Sequence, residues 1–201
     1  LSAAKLTVNL SKCEFGKATV TFLGHVVGQG LVKPIEAKVT AICKFPAPVG
    51  KRELMRFLGM AGYYRKFCSN FSTIAEPLTR LLGKRVKFVW SPACEDAFQK
   101  LKAILGSSPV LAAPDFTLPF KLAVDASDVA AGAVLLQEEK DGVDHPVCYY
   151  SKKFNKSQHR YSTIEKECLA LVLALQPFEV YLSSSSLPIH VFSDHNPLVF
   201  I

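Results

Sequence analysis

Apolar and polar positions along the chain follow two rhythms, and the rhythm changes near Pro109. Upstream, LTVNL (6–10) and ATVTFLGHVV (18–27) alternate with the period of strands, and Gly28 and Gly30 mark a turn. EAKVTAICKF (36–45) predicts a helix stopped by Pro46 and Pro48. In KRELMRFLGMAGYYRKF (51–67), Leu54, Phe57, Leu58 and Ala61 recur at helical spacing. A further helix is predicted over 72–82, with Pro77 inside its pattern. Ser91-Pro92 has the form of a helix start, a hydroxyl cap followed by proline in the first turn, and that helix runs through Leu105. Downstream, LPFKLAVD (118–125), AGAVLLQ (131–137) and PVCYYS (146–151) predict three short strands. A long helix over 162–181, a loop at SSSSL (183–187) and a last strand, PIHVFSD (188–194), follow. The expected fold class is α/β, of the mixed α+β kind: a small helical region, then a mixed sheet with a packed helix.

Composition adds little to that outline, but charge and cysteine usage do. With 201 residues, 49% hydrophobic and 20% charged, the chain has the means to bury a core and is not a disordered scaffold. The net charge is +7, and it is unevenly spread: residues 33–87 hold 12 Lys and Arg against 3 Asp and Glu, a local +9 that suits an anionic partner. The six cysteines are scattered with no CxxC pair, which argues against a zinc ribbon or a thioredoxin-type site and suits reduced thiols in an intracellular, cytoplasmic or nuclear, protein. LSAAKLTVNLSKCEF lacks the apolar stretch of a signal peptide. LALVLAL (169–175) falls far short of the roughly 20 residues that span a bilayer, so no membrane partner is expected. A first residue Leu1 and an abrupt end at NPLVFI suggest a fragment of a longer protein.

Three acidic residues stand at informative places. Asp125 ends the first strand after Pro109, Glu167 lies in the first turns of the long helix, and Asp194 ends the last strand. Strand ends converge at one edge of such sheets, and three carboxylates gathered there repel one another unless a cation lies between them. Hard divalent ions take oxygen ligands, and Mg²⁺ combines carboxylates with phosphate oxygens. A lone Asp at a strand end is more often a turn former or a cap. Ser162 and Glu165 have the spacing of a capping box, which gives Glu165 a structural task. Glu167 is the only charge on the stripe Ile164, Glu167, Cys168, Leu171, Ala174, Leu175, Phe178. The five histidines show no HExxH or other zinc spacing.

The stretches KCEFGKATVTFLGHVVGQG (12–30), KRELMRFLGMAGYYRKFCSNFSTIAEPLTRLL (51–82), FVWSPACEDAFQKLKAIL (88–105), PVLAAPDFTLPFKLAVDASDVAAGAVLLQ (109–137), YYSKKFNKSQHRYSTIEKECLALVLAL (149–175) and VFSDHNPL (192–199) stand in one order. In that order they resemble the reverse transcriptase polyprotein of gypsy-type LTR retrotransposons over nearly the whole chain. The resemblance implies the end of a polymerase palm at 1–33, a helical thumb-like region at 34–86, a connection at 87–117 and an RNase H-like domain at 118–201, its sheet incomplete at the C-terminus. It implies that Asp125 of DAS, Glu167 of KECLALVLAL and Asp194 of SDH are both catalytic and metal-binding. They would hold two Mg²⁺ ions, or Mn²⁺, and cut the RNA strand of an RNA–DNA hybrid. It places the FLGH hairpin, with Phe22, Gly24 and His25, near a primer terminus. The YxDD-type polymerase aspartates are absent from the chain. A fourth acidic metal ligand is expected beyond Ile201, in the rest of the polyprotein.

In the basic segment, Lys51, Arg52, Arg56, Arg65 and Lys66 are candidate phosphate contacts, and Tyr64 beside Arg65 is a candidate stacking platform for a base or sugar. The expected partner is an RNA–DNA hybrid or primer–template, bound with little regard to sequence. Two readings remain open at this point: a nuclease fragment of a reverse transcriptase, or a non-catalytic nucleic-acid-binding remnant of a transposon-derived polyprotein.

Overall fold

The structure, a computed structural model, describes residue 4 and residues 7–139 and 142–194. His195 and the rest of the SDHNPL motif beyond Asp194 lie outside the described residues, as does Leu6 of the first expected strand.

The N-terminal pattern resolves into a three-stranded meander, β1 (Val20–Phe22), β2 (His25–Gly28) and β3 (Leu31–Pro34). The single strand expected over 18–27 is therefore two. Leu23 and Gly24 both take positive φ (42° and 72°), the backbone that a two-residue hairpin turn needs, and Phe22 pairs with His25 across it. The described part of LTVNL is not a strand either. The Asn9 side chain accepts from the Ser11 backbone N–H at 3.1 Å and starts a 3-10 turn at Leu10–Lys12.

Helices follow: α1 (Glu36–Cys43), α2 (Lys51–Tyr63), α3 (Phe71–Ile74), α4 (Glu76–Leu81) and α5 (Pro92–Gly106). The helix expected over 72–82 breaks at Ala75, because Pro77 has no N–H to donate and fits only in the first turn of a new helix. Ser91 caps α5 as its sequence predicts, accepting from the Cys94 N–H. Leu54, Phe57 and Ala61 of α2 are fully buried against Phe98, Leu101 and Leu105 of α5, with the Phe57 and Phe98 ring centres 4.5 Å apart. Full burial of each such Leu or Phe side chain is worth about 1.5–3 kcal/mol.

After α5, the two-residue strand β4 (Leu111–Ala112), absent from the sequence reading, pairs with Leu31 and Val32 of β3. A second sheet then forms from β5 (Lys121–Ala126), β6 (Ala130–Glu138), β7 (Asp144–Lys153) and β8 (His190–Ser193), in the order β7-β6-β5-β8. Its first three strands are antiparallel; β8 runs parallel to β5 after the crossover helix α6 (Thr163–Leu182). Ala170, Ala174 and Phe178 of α6 cover one face, against Leu122, Val124, Ala133 and Leu135. The buried stripe of α6 is Glu167, Ala170, Ala174 and Phe178, so Ile164 and Leu175, expected on that stripe, are exposed.

The other face of the sheet meets the helical region. Tyr149 packs on the helical core. The buried Ser151 hydroxyl accepts from the Ser72 backbone N–H at 3.0 Å. Arg65 Nη2 donates to the Ser151 carbonyl at 2.5 Å and to Ser72 Oγ at 2.9 Å, and Lys153 pairs with Glu76 at 3.1 Å. These contacts fix the segment 65–79 on the sheet beside the strand end that carries Asp125. Among the described residues, no helix is long and apolar enough to cross a membrane.

Candidate active site

The three acidic residues meet. One carboxylate oxygen from each of Asp125, Glu167 and Asp194 lies within 4.8 Å of the others. The convergence follows from topology. β5 and β8 are parallel neighbours, so Asp125 and Asp194 sit at the same end of adjacent strands. Residue 167 lies in the second turn of the helix that crosses over them.

Their environments differ in a useful way. Asp125 and Asp194 are exposed; Glu167 is only 4% exposed. The Ala126 backbone N–H donates to Glu167 Oε1 at 3.2 Å, fixing the carboxylate against the strand end. Glu165 is spent elsewhere. It closes a capping box with Ser162, with Ser162 N–H donating to Glu165 Oε2 at 2.8 Å, and those bonds hold its carboxyl below the usual range. Among the described residues, the donor set at the site is all oxygen. A buried carboxylate held beside two exposed ones suits a hard divalent cation, so the residues fit Mg²⁺ or Mn²⁺.

The basic segment needs correction at several positions. Tyr64 is no stacking platform: it is 3% exposed, and its hydroxyl donates to the Gly24 carbonyl at 2.9 Å. Arg65 is exposed, but it turns its guanidinium to Ser72 and Ser151, so it joins two parts of the chain. The Lys51 ammonium is tied to the Gly83 carbonyl at 2.6 Å. Lys66 is half-buried over the Phe67 ring. Arg52 and Arg56 are exposed on α2, and Phe22 and Leu23 are exposed at the hairpin tip. Tyr63, half exposed, anchors that tip by donating to the Leu23 carbonyl at 2.6 Å.

His25 is enclosed by aromatic rings, stacked on Tyr63 and Phe67 and edge-on to Tyr64. Burial, and then the charge of Lys66, lower its pKa below 6.5, outweighing the hydrogen bond to the Leu23 carbonyl. The fold therefore prefers neutral His25. That contribution is present above about pH 6.5 and is lost as the pH falls and the unfolded chain takes up the proton more readily. The melting temperature should drop between about pH 7.5 and about pH 5.5, and His25→Phe, which keeps the ring stack, should flatten that drop. An equal drop in the variant would assign the effect to other groups.

Sequence reasoning missed two features of the site. The Ala126 N–H leaves no trace in side-chain patterns. Asn70 goes unmarked because the expected helix begins at residue 72; the structure starts it at Phe71 and leaves the Asn70 side chain without a capping bond.

Comparisons with known proteins agree with this picture. The profile of the RNase H-like domain found in reverse transcriptase matches residues 90–191, a span that includes Asp125 and Glu167. The chain is 42% identical over 211 aligned positions to the retrovirus-related Pol polyprotein from transposon opus of Drosophila melanogaster, covering 100% of this chain and 21% of the relative. It is 44% identical over 200 positions to the Pol polyprotein from transposon 297 of the same organism, covering 98% of this chain and 18% of the relative. Against the transposon Tf2-3 polyprotein of Schizosaccharomyces pombe the identity is 38% over 199 positions, with 99% of this chain and 15% of the relative covered. The chain thus spans about a fifth or less of the curated relatives it matches. Among solved structures, the foamy viral protease-reverse transcriptase in complex with RNA/DNA hybrid superimposes with a TM-score of 0.73 at 23% identity, over 89% of this chain and 24% of that one. The dRH form in complex with double-stranded DNA gives a TM-score of 0.72 at 23% identity, over 92% and 33%. At that identity the likeness establishes the fold.

Proposed function

The chain belongs to the family of RNase H-like domains found in reverse transcriptases, and from that membership we propose that it hydrolyses the RNA strand of RNA–DNA hybrids within a retrotransposon polyprotein. The observation that carries the proposal is the meeting of Asp125, Glu167 and Asp194 within 4.8 Å at the shared end of β5 and β8.

Each residue has a distinct part. Glu167, buried and hydrogen-bonded to the Ala126 N–H, is the fixed back wall of the site. Asp125 and Asp194 face solvent and leave room for a phosphodiester to approach. Two divalent ions bound by these carboxylates would supply Lewis-acid activation of a water and charge neutralisation at the scissile phosphate. The products are a 3′-hydroxyl and a 5′-phosphate, and no side chain forms a covalent intermediate. Carboxylates alone would repel the substrate backbone, so the site requires cations for binding as well as for chemistry.

Nucleic-acid contact falls to Arg52 and Arg56 on α2 and to Phe22 at the exposed hairpin tip, which Gly24 and His25 shape from behind. The division into palm end (1–33), thumb-like region (34–86), connection (87–117) and RNase H-like domain (118–201) is part of the same proposal, as is an intracellular location. The six free cysteines support the latter.

The test is cleavage of an end-labelled RNA–DNA hybrid by the purified chain. Shortening of the RNA strand in Mg²⁺, with the DNA strand intact and no reaction in EDTA, is expected. Hybrid binding that survives EDTA, without cleavage in Mg²⁺, would replace this reading with that of a non-catalytic binding remnant.

A further inference from the structure

A cavity of about 140 Å³ adjoins the carboxylate cluster on the face of the sheet that meets the helical region. Its sheet wall includes Asp125, Gly132 and Val134; its other wall is Ser69 and Asn70, from the turn before α3. Asp125 and Gly132 are direct partners across β5 and β6. Asn70 lies over this pair, and a Cβ built on Gly132 would stand 2.5 Å from Asn70 Oδ1. Glycine at 132 is what lets the carboxamide lie so close to the Asp125 strand.

Asn70 is held there firmly. Its carbonyl accepts from the Ile74 N–H at 3.0 Å, and two residues on, Ser72 is bonded to Ser151. Its backbone is left-handed, with φ 54°. Asparagine tolerates that conformation better than most residues and commonly uses its side chain to cap the helix that follows. Here the carboxamide caps nothing. It is exposed and has no hydrogen-bond partner among the described residues. A rigid backbone thus presents a free donor and a free acceptor beside Asp125.

We propose that Asn70 is a further substrate-contacting residue of this site, supplied by the helical region, and that its carboxamide binds the sugar–phosphate backbone of the RNA strand next to the scissile bond. The inference rests on the hydrolytic reading above. A carboxamide offers both a donor and an acceptor, the complement of a ribose 2′-hydroxyl, which also donates and accepts. A phosphate oxygen would use the donor alone. Registering the scissile phosphate against Asp125 is a matter of orientation, so the loss should appear in turnover more than in affinity.

The test compares the parent chain, Asn70→Gly and Asp125→Asn on one labelled hybrid. Glycine accepts positive φ, so Asn70→Gly removes the carboxamide and keeps the backbone. The expected result is a parent-like melting temperature and hybrid affinity in Ca²⁺, with kcat lower by about tenfold. Placing a 2′-deoxy nucleotide on each side of the cut in turn should slow the parent at one position and leave Asn70→Gly unaffected there. Gly132→Ala, which pushes on Oδ1, should slow the parent in the same direction. Parent-like turnover in Asn70→Gly beside a dead Asp125→Asn would overturn this inference alone and leave Asn70 as a left-handed turn residue. If the parent does not cleave, or Asp125→Asn cleaves as well as the parent, the hydrolytic reading falls first and this inference with it.

Discussion

Replacing Glu167 with Gln is expected to abolish hybrid cleavage and, in the absence of divalent ions, to raise the melting temperature. Both effects come from one charge. Glu167 is buried, with Asp125 and Asp194 within 4.8 Å. Two like charges near 4 Å repel by about 1 kcal/mol in bulk water and about 4 kcal/mol at the effective dielectric of a protein surface. Because Asp125 and Asp194 are exposed, the lower half of that range applies. Gln keeps an oxygen to accept from the Ala126 N–H, so the substitution removes charge and leaves that hydrogen bond in place. The metal-free chain should gain about 1–2 kcal/mol. The parent should also be stabilised by millimolar Mg²⁺ through linkage, and the variant should not. Cleavage should fall by at least about a hundredfold, the scale for removing one electrostatic contact to the reacting group. Thermal melts with and without Mg²⁺, run beside the cleavage assay, separate the outcomes. A variant that is destabilised without metal and still responds to Mg²⁺ would mean that Glu167 is a packing residue and that the cation is held by Asp125 and Asp194 alone.

How far this was legible in the sequence depends on the range of the interaction. The three carboxylates were readable because each is marked locally, two by strand ends and one by a charge on an apolar helical stripe. Glu165 could be set aside because its capping box is itself a local pattern. The Leu23-Gly24 turn was less visible, since FLGHVV alternates straight through it, and two positive φ values on Leu-Gly lack the usual Asn-Gly signature. β4 is two residues long and exists only because Leu31 and Val32 lie beside it. The basic segment misled in part for the same reason. Charge counting cannot tell an arginine that faces solvent, such as Arg56, from one whose guanidinium is taken by a serine 86 residues away. Tyr64 fits a stacking residue beside a cation, and only the tertiary structure puts Gly24 over its hydroxyl.

The second large effect is expected at Arg65. Its guanidinium donates to the Ser151 carbonyl and Ser72 Oγ, and it lies over the Phe71 ring with 5.2 Å to the centroid. Ser151 is 3% exposed, so Arg65→Met leaves its buried carbonyl without this donor, while the methionine stem keeps much of the packing. Hydrogen bonds to a charged group are worth about 1.5–3 kcal/mol, and the exposed part of the side chain argues for the lower end. A loss of about 2 kcal/mol should lower the melting temperature by about 4–8 °C for a chain of this size. Combining Arg65→Met with Ser72→Ala should give less than the sum of the two, because both cut the same contact. Lys84→Met is the control: Lys84 is exposed and removes the same charge. It should weaken hybrid binding at low salt and leave the melt unchanged. If Arg65→Met behaves like Lys84→Met, Arg65 is a phosphate contact after all. If it instead lowers the melt and slows cleavage with hybrid affinity held, the helical region is a working part of the hydrolytic site. The reason is geometric: Ser151, Gly132 and Asp125 form one row across three strands, and Arg65 and Ser72 hold the end of that row while Asn70 lies over its middle.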